Sequence, residues 1–338
     1  MRLAGMISKL FSPAPPAFGQ RPTPSADLYF VHGVADLLGN DAGRPIRQAG
    51  CNLFAAGNRF VLVRYATPAE LDIIETPGCE RLFYVVDDDF AALAADDGLP
   101  ADYRRRLRAF MTAILPRILA LNPVIVAPNR RLLTAFGGRD SLLLEPAHGP
   151  LNGDFSHFEA MMPLRLVFAG TRSHADDLAG VAPGVAKFLD RHPHARLVTF
   201  LDRHGPPPLS RHRQVDNRPA LDWPHFKALL TRERFHVALA PFAPTPANQA
   251  RSANKVNDHA AFGAAGLYGR IFPYFDRITH GRDGLLVDHG PEAWLAALSE
   301  LAGNPHRMRT LAEAGLALAR RHGDPARLRR FWVHQLGL

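Results

Sequence analysis

Twice along this chain, short apolar runs rich in β-formers alternate with helical stretches. The first series holds Leu28–His32, Phe60–Tyr65, Arg81–Val86, Pro123–Ala127 and Ser141–Glu145. The second holds Leu164–Ala169, Arg196–Leu201, His236–Pro241 and a run near Gly284–Val287. Short apolar strands separated by helices predict parallel sheets covered on both faces. Two such series in one chain predict an α/β protein with two Rossmann-like domains facing across a cleft. The expected divisions are 27–155 and 156–322, with a basic segment at 1–26 and a basic helix at 323–338 that crosses back toward the first domain.

Helical periodicity supports the alternation. Leu107, Met111, Ile114 and Ile118 share one face of a helix over Tyr103–Ala120, which Pro116 should kink. Leu178, Val181, Val185 and Leu189 do the same between the first two strands of the second series. Further helices are expected at Pro224–Leu230, Lys255–Phe262, Pro291–Ala302 and Pro305–Arg321, with a polar loop over Arg203–Arg218. Asn304-Pro305 and Asp324-Pro325 each read as an N-cap followed by proline at the first helical position.

Charge excludes one class of partner. The net charge is +8, but residues 1–26 carry +3 and residues 320–338 carry +4. The body is therefore near neutral and does not resemble a duplex-binding surface, so no nucleic-acid partner is expected. Leu3, Met6, Ile7 and Leu10 lie at helical spacing between Arg2 and Lys9, followed by a proline-rich linker at Ser12–Pro24. That segment rests on an anionic membrane, docks on its own protein, or frays. Cys51 and Cys79 alone make neither a disulfide framework nor a zinc site, which favours a reducing cytoplasm.

In parallel α/β sheets, ligands bind beyond the carboxyl ends of the strands. Three segments there carry chemistry. Asp87-Asp88-Asp89 follows the run Arg81–Val86. Adjacent carboxylates repel unless a cation, a hydroxyl donor or solvent is near. They suit recognition or activation of a hydroxyl, or they cap a helix in a solvated loop; a metal is weakly supported, since no second acid or His cluster stands at ligand spacing. Gly170–Leu178 reads as a turn into a helix, with Ser173 and Asp176 spaced as a capping box. Exposed amides there could hold an anion. In Ala247–Gly263, Arg251, Ser252 and Lys255 gather at a helix start, a set that suits a diphosphate, and Asp258 shares the face of Lys255. Gly263, Gly266 and Gly269 lack the context of a dinucleotide fingerprint.

Together these segments resemble the family 4-type glycosyltransferases of the GT-B fold, in particular a bacterial surface-polysaccharide subgroup. The subgroup shows a strand ending in aspartates, a Gly-Thr-x-Ser-His-x-x-Asp-Leu segment and a Phe-Asn-x-x-Lys-Ser-x-x-Lys-x-x-Glu-Tyr-Ala-Ala-x-Gly segment. Here they stand as Asp87–Asp89, Gly170–Leu178 and Ala247–Gly263, followed by Gly281–Val287 and Trp294. The likeness spans most of 27–322 and is closer in the second domain. The chain departs from the pattern at Asp258 for Glu, Ala247 for the aromatic, Arg251 for Lys, His259 for Tyr and Ala265 for Pro.

The resemblance implies a metal-independent, retaining transfer from a nucleotide-diphosphate sugar, with no cofactor beyond that substrate. It implies donor binding by Gly170, Thr171, His174, Asn248, Arg251, Ser252, Lys255 and Asp258, and acceptor orientation by Asp87 or Asp88. Lys255 would also act in catalysis, offsetting charge on the leaving diphosphate. The acceptor would be a glycan or lipid-linked precursor, used on the cytoplasmic side. The alternatives are a GT-B-shaped binding protein without turnover, for which Asp258 and Ala247 speak, and a nucleotide-sugar epimerase of the same fold.

Overall fold

The protein is described by a computed structural model covering residues 21–338 apart from Ala42. The expected N-terminal amphipathic helix and most of the proline-rich linker lie outside the described residues. The chain forms two six-stranded sheets. The first has the order β1 (Arg47–Gln48), β2 (Leu53–Ala56), β3 (Arg59–Val63), β4 (Arg81–Val85), β5 (Val124–Ala127), β6 (Ser141–Leu143). The second holds β7 (Leu164–Phe168), β8 (Ala195–Thr199), β9 (Val215–Asn217), β10 (Val237–Ala240), β11 (Ala265–Gly269) and β12 (Leu285–Val287), in the order β12-β11-β10-β7-β8-β9.

The second sheet is parallel throughout. In the first, β3 to β6 are parallel, but β1, β2 and β3 pair antiparallel, which corrects the expectation of an all-parallel sheet. The signal for that hairpin was present. Gly57-Asn58 joins β2 to β3, and Gly57 sits at φ +56°, where glycine meets no Cβ clash. Strand β11 was also unexpected. Its glycines give a weak strand signal but make room: a Cβ on Gly269 would lie 2.7 Å from the Phe242 carbonyl oxygen.

Leu28–His32 is helical, not a strand. It belongs to a segment built of Pro24–Ala26, Asp27–Val31 and His32–Val34, the middle stretch wound with π-helical pitch. An apolar run this short fits either period. Here proline starts the helix, and burial of Tyr29, Phe30 and Val34 decides. The partner comes from the far end of the chain. The last helix, Pro325–Leu336, lays Leu328, Trp332 and Leu336 against Phe30, Phe83 and Val85. The Trp332 indole N–H donates to the Tyr29 carbonyl at 2.6 Å, and Gly33 admits Leu328 so closely that a Cβ would lie 2.7 Å from its Cγ. Truncating a buried tryptophan of this kind to alanine costs about 3–5 kcal/mol.

The helix expected at Tyr103–Ala120 is two, Ala101–Ala113 and Leu115–Ala120, broken at Ile114 just ahead of Pro116. Leu178, Val181, Val185 and Leu189 are all fully buried, but on two helices, Ala175–Ala179 and Ala182–Arg191, with Val181 at the junction. Asn304 and Asp324 cap their helices, accepting from the Arg307 and Ala326 amides. The basic C-terminal helix is not a free cationic arm: Arg329 pairs with Asp36, and Arg327 lies 3.5 Å from Glu145. Among the described residues, no helix is long and apolar enough to cross a membrane.

Candidate active site

Strands β3 and β4 end level, with Val63 opposite Val85. The residues that follow them meet the residues after β7 and β10 of the second sheet.

On the first sheet, Arg64 follows β3 with φ +64°, a left-handed turn that carries its guanidinium to the aspartates after β4. Nη1 donates to Asp87 at 3.0 Å, and Nη2 donates to Asp88. Arg64 is thus the cation that lets two adjacent carboxylates be buried together. Ser25, from the leading helical segment, donates to Asp87 at 2.5 Å. Asp89 turns away and caps the helix Phe90–Ala95, accepting from the Ala92 amide at 2.9 Å. The triplet is divided: two acids face the cleft and one caps a helix. Burial, aided by the neighbouring Asp88, pushes the Asp87 carboxyl up despite Arg64. Burial acts the same way on Asp88, but Arg64 and then Arg251 outweigh it and hold that carboxyl below its usual range.

On the second sheet, β7 ends at Phe168 and turns through Gly170, where a Cβ would lie 2.5 Å from the Phe168 ring. The expected Ser173–Asp176 capping box does not form. Ser173 instead meets the Thr171 hydroxyl at 3.1 Å, and neither the turn Arg172–His174 nor the following helix has a side-chain cap. Asp176 reaches toward Gly98 of the first domain. His174 Nδ1 lies 2.9 Å from Asp177, three residues on. Burial and then the nearby Arg251 hold His174 below the usual imidazole range, so it is neutral near pH 7.

Beyond β10, Thr245 caps the short helix Pro246–Gln249 and so fixes Asn248, which donates to Asp177 at 2.7 Å and to the Ala243 carbonyl at 3.0 Å. Arg251 follows, 3.2 Å from His174 Nε2 and 3.9 Å from Asp88 across the cleft. The helix Lys255–Ala261 then places Lys255 and Asp258 one turn apart; Lys255 Nζ donates to Asp258 at 2.7 Å and to the Ala169 carbonyl at 2.8 Å.

Two adjoining cavities result. One of about 290 Å³ is lined by Arg64, Asp87, Asp88, His174, Arg251 and Ser252, with Thr171 and Lys255 also at its wall. The other, about 190 Å³, is more apolar, with Phe200, Leu221, Trp223 and Phe226 beside Gly170 and Asp258. Lys255 and Thr171 border both. All the candidate residues therefore gather around this one cleft; Asn248 stands behind its wall. Among the described residues, no three His, Cys, Asp or Glu side chains are grouped to hold a metal ion.

The sequence did not point to Arg64 or the aromatic cavity; Asp177 stands at the aspartate of the Gly-Thr-x-Ser-His-x-x-Asp-Leu segment but had no assigned role. Arg64 had a usable signal, since it directly follows a strand at the ligand edge. Trp223 had none. Its indole N–H donates to Asp27 at 2.7 Å, and Lys227 donates to the same carboxylate at 2.5 Å, a contact between residues nearly 200 positions apart.

The two domains, their largely parallel sheets and the cleft between them define the GT-B architecture. No family model matches the sequence, and no curated protein matches it. Solved structures do. Anabaena HepE in complex with UDP-glucose superposes with a TM-score of 0.56 at 13% identity, over 82% of this chain and 78% of that one. A point mutant of S. aureus TarM in complex with UDP and α-GlcNAc-glycerol gives 0.59 at 8% identity, over 82% of this chain and 55% of that one. The pneumococcal O-GlcNAc transferase GtfA, with UDP and GlcNAc, gives 0.55 at 9% identity, over 86% and 63%. The chain spans little more than half the length of TarM.

Proposed function

We propose that this chain is a glycosyltransferase that moves a sugar from a nucleotide-diphosphate donor to a glycan or lipid-linked acceptor in cell-surface polysaccharide synthesis. The observation that carries the reading is the pairing of edges. Arg251, Lys255 and Asp258 of the second domain face Arg64, Asp87 and Asp88 of the first across one cleft. Solved structures with this architecture hold UDP or UDP-glucose.

The three cations are matched by three carboxylates, so an arriving diphosphate brings uncompensated negative charge. Lys255 is the cation that can turn to it, exchanging Asp258 for phosphate. Asp258 is then free to accept from ribose hydroxyls, with the base in the cavity of Phe200, Trp223 and Phe226. As the glycosidic bond breaks, negative charge grows on the diphosphate, and Arg251 and Lys255 offset it. Asp87 orients the acceptor hydroxyl from the opposite domain, a positioning effect that contributes through effective concentration. Such a transfer needs no resident metal where Arg251 and a reoriented Lys255 offset the charge of the leaving group. Retention of anomeric configuration accompanies the family resemblance.

The test is a thermal-shift panel of nucleoside diphosphates and their sugar conjugates, followed by assay of diphosphate release with and without acceptor glycans. Ligand that binds the native state raises the midpoint. Stabilisation with acceptor-dependent release is expected. Stabilisation without release from any donor would assign a binding protein instead, and release without acceptor an epimerase or hydrolase. No stabilisation by any diphosphate would end the reading.

A further inference from the structure

We propose that Asp177 is a positioning residue that aims Arg251 into the cleft by fixing the tautomer of His174. The inference rests on the donor reading above.

The chemistry follows from what each group can donate. A guanidinium has only N–H donors. Arg251 Nη1 lies 3.2 Å from His174 Nε2, so that nitrogen must be the acceptor and the ring proton must sit on Nδ1. Nδ1–H then donates to Asp177 Oδ2 at 2.9 Å. The other tautomer, or the doubly protonated ring, would place N–H against N–H at Arg251 and forfeit the bond. An anionic oxygen beside Nδ1 selects the one tautomer that can hold Arg251.

Asp177 is itself over-determined. Its Oδ1 accepts from the Ala243 amide at 3.0 Å and from Asn248 Nδ2 at 2.7 Å. Only 6% of the residue is exposed. Phe242 supplies the floor: the His174 ring stacks on it with centroids 4.9 Å apart and planes 1° from parallel, and the Arg251 guanidinium lies 6.0 Å above the same ring. The bracket therefore joins the turn after β7 to the loop after β10 and the short helix Pro246–Gln249. Each member is buried or nearly so, and Arg251 is the one that reaches the 290 Å³ cavity with its charge. This explains why a His and an Asp three residues apart sit here without being a helix cap: Asp177 touches neither cavity, yet it sets the direction of the cation that does.

The experiment compares wild type, Asp177→Asn, His174→Gln and the double variant. The probes are UDP, GDP, ADP and dTDP, each against its own nucleoside, by calorimetric titration. An amide in place of Asp177 can turn its NH₂ toward Nδ1 and force the ring to the Nε2–H form. Asp177→Asn should then weaken the best-bound diphosphate at least about fivefold, the scale of one net hydrogen bond, while affinity for the nucleoside changes less than twofold. His174→Gln offers Arg251 an amide oxygen regardless of tautomer. On that background, Asp177→Asn should cost less than twofold, since its effect passes through the ring. Equal losses in both backgrounds, or equal losses for diphosphate and nucleoside, would show that Asp177 serves only the fold. Should Asp177→Asn not fold, ¹⁵N spectra of wild type decide, with His174→Gln giving the assignment: a bare Nε2 and protonated Nδ1 at neutral pH support the bracket, and the reverse overturns it. If no diphosphate binds wild type, the donor reading fails and takes the inference with it. If wild type binds and Asp177→Asn binds as tightly, the inference alone fails.

Discussion

The two edges of the cleft solve the same electrostatic problem differently. On the first domain, one guanidinium serves two adjacent carboxylates, and the side chains of Arg64, Asp87 and Asp88 are only 16%, 13% and 7% exposed. On the second, Lys255 and Asp258 form a one-to-one pair on a single helical turn. The first arrangement has no exchange partner for Arg64 that leaves both acids satisfied. The second can open, because a phosphate could replace Asp258 at the ammonium. On the proposed reading, one edge is a frame and the other can trade partners.

The largest effect should come from breaking the frame. Arg64→Met leaves two buried acids without their cation, and removing one partner of a buried ion pair costs about 3–5 kcal/mol. Denaturant unfolding measures it, and a loss under about 1 kcal/mol would mean the acids are hydrated and the contrast is false. Adding Asp87→Asn to that variant should restore part of the loss.

Next comes the exchangeable pair. Lys255→Ala should lower kcat for transfer as well as raise donor KM, since the lost contact strengthens as charge grows. A charge-assisted contact is worth about 1.5–3 kcal/mol, or roughly 10- to 150-fold. Asp258→Ala should act mainly on donor KM, with kcat held within about threefold, because ribose charge does not change in the reaction. Asp87→Asn should leave donor binding intact and abolish transfer. Unchanged nucleotide affinity in Asp258→Ala would remove Asp258 from the donor site.

A third contrast concerns acid. The second domain holds several histidines low, among them half-buried His157: burial and then the adjacent His236 bring it down to about 4. Its unfolded value lies near 6.5. A base whose native pKa is depressed contributes stability that is complete above pH 6.5 and is lost as pH falls toward 4, because the unfolded chain takes the proton first. His157→Phe should remove one proton from that window, a change in slope of at most about 1.4 kcal/mol per pH unit. The slope is read from denaturant midpoints at several pH values, and an unchanged slope would place the acid sensitivity elsewhere. Asp88, held low, loses its contribution only at more acidic pH.

The smallest expected effect is that of chelation. If side chains alone neutralise the diphosphate, excess EDTA should leave transfer within about twofold, roughly 0.4 kcal/mol in barrier. Complete loss restored by Mn²⁺ or Mg²⁺ would give Asp87 and Asp88 a metal role and undo the comparison between the edges.

Legibility followed the same division. The second domain's edge is written in two contiguous stretches, Gly170–Leu178 and Ala247–Gly263, and local spacing placed Lys255 and Asp258 on one helical face. The first domain's edge is not contiguous. Its acids were legible, and so was their need for a cation, but the cation is Arg64, delivered by a left-handed turn that no arginine signals in sequence. The aspartate triplet read as one unit, yet cap geometry withdrew Asp89. Ser173 and Asp176 had the spacing of a capping box, and tertiary contacts took both elsewhere.

Local sequence was enough for the alternation of strands and helices, the two domains and the cluster of cations after β10. These rest on period and spacing, which act over a few residues. Long-range contacts make Leu28–His32 helical, place Trp332 in the first domain's core and join Trp223 to Asp27. Each depends on burial against a partner about 200 or more positions away. Local propensity differs by tenths of a kcal/mol per residue between helix and strand, while burying one large side chain contributes about 1.5–3 kcal/mol, so the distant partner settles what the local sequence leaves open.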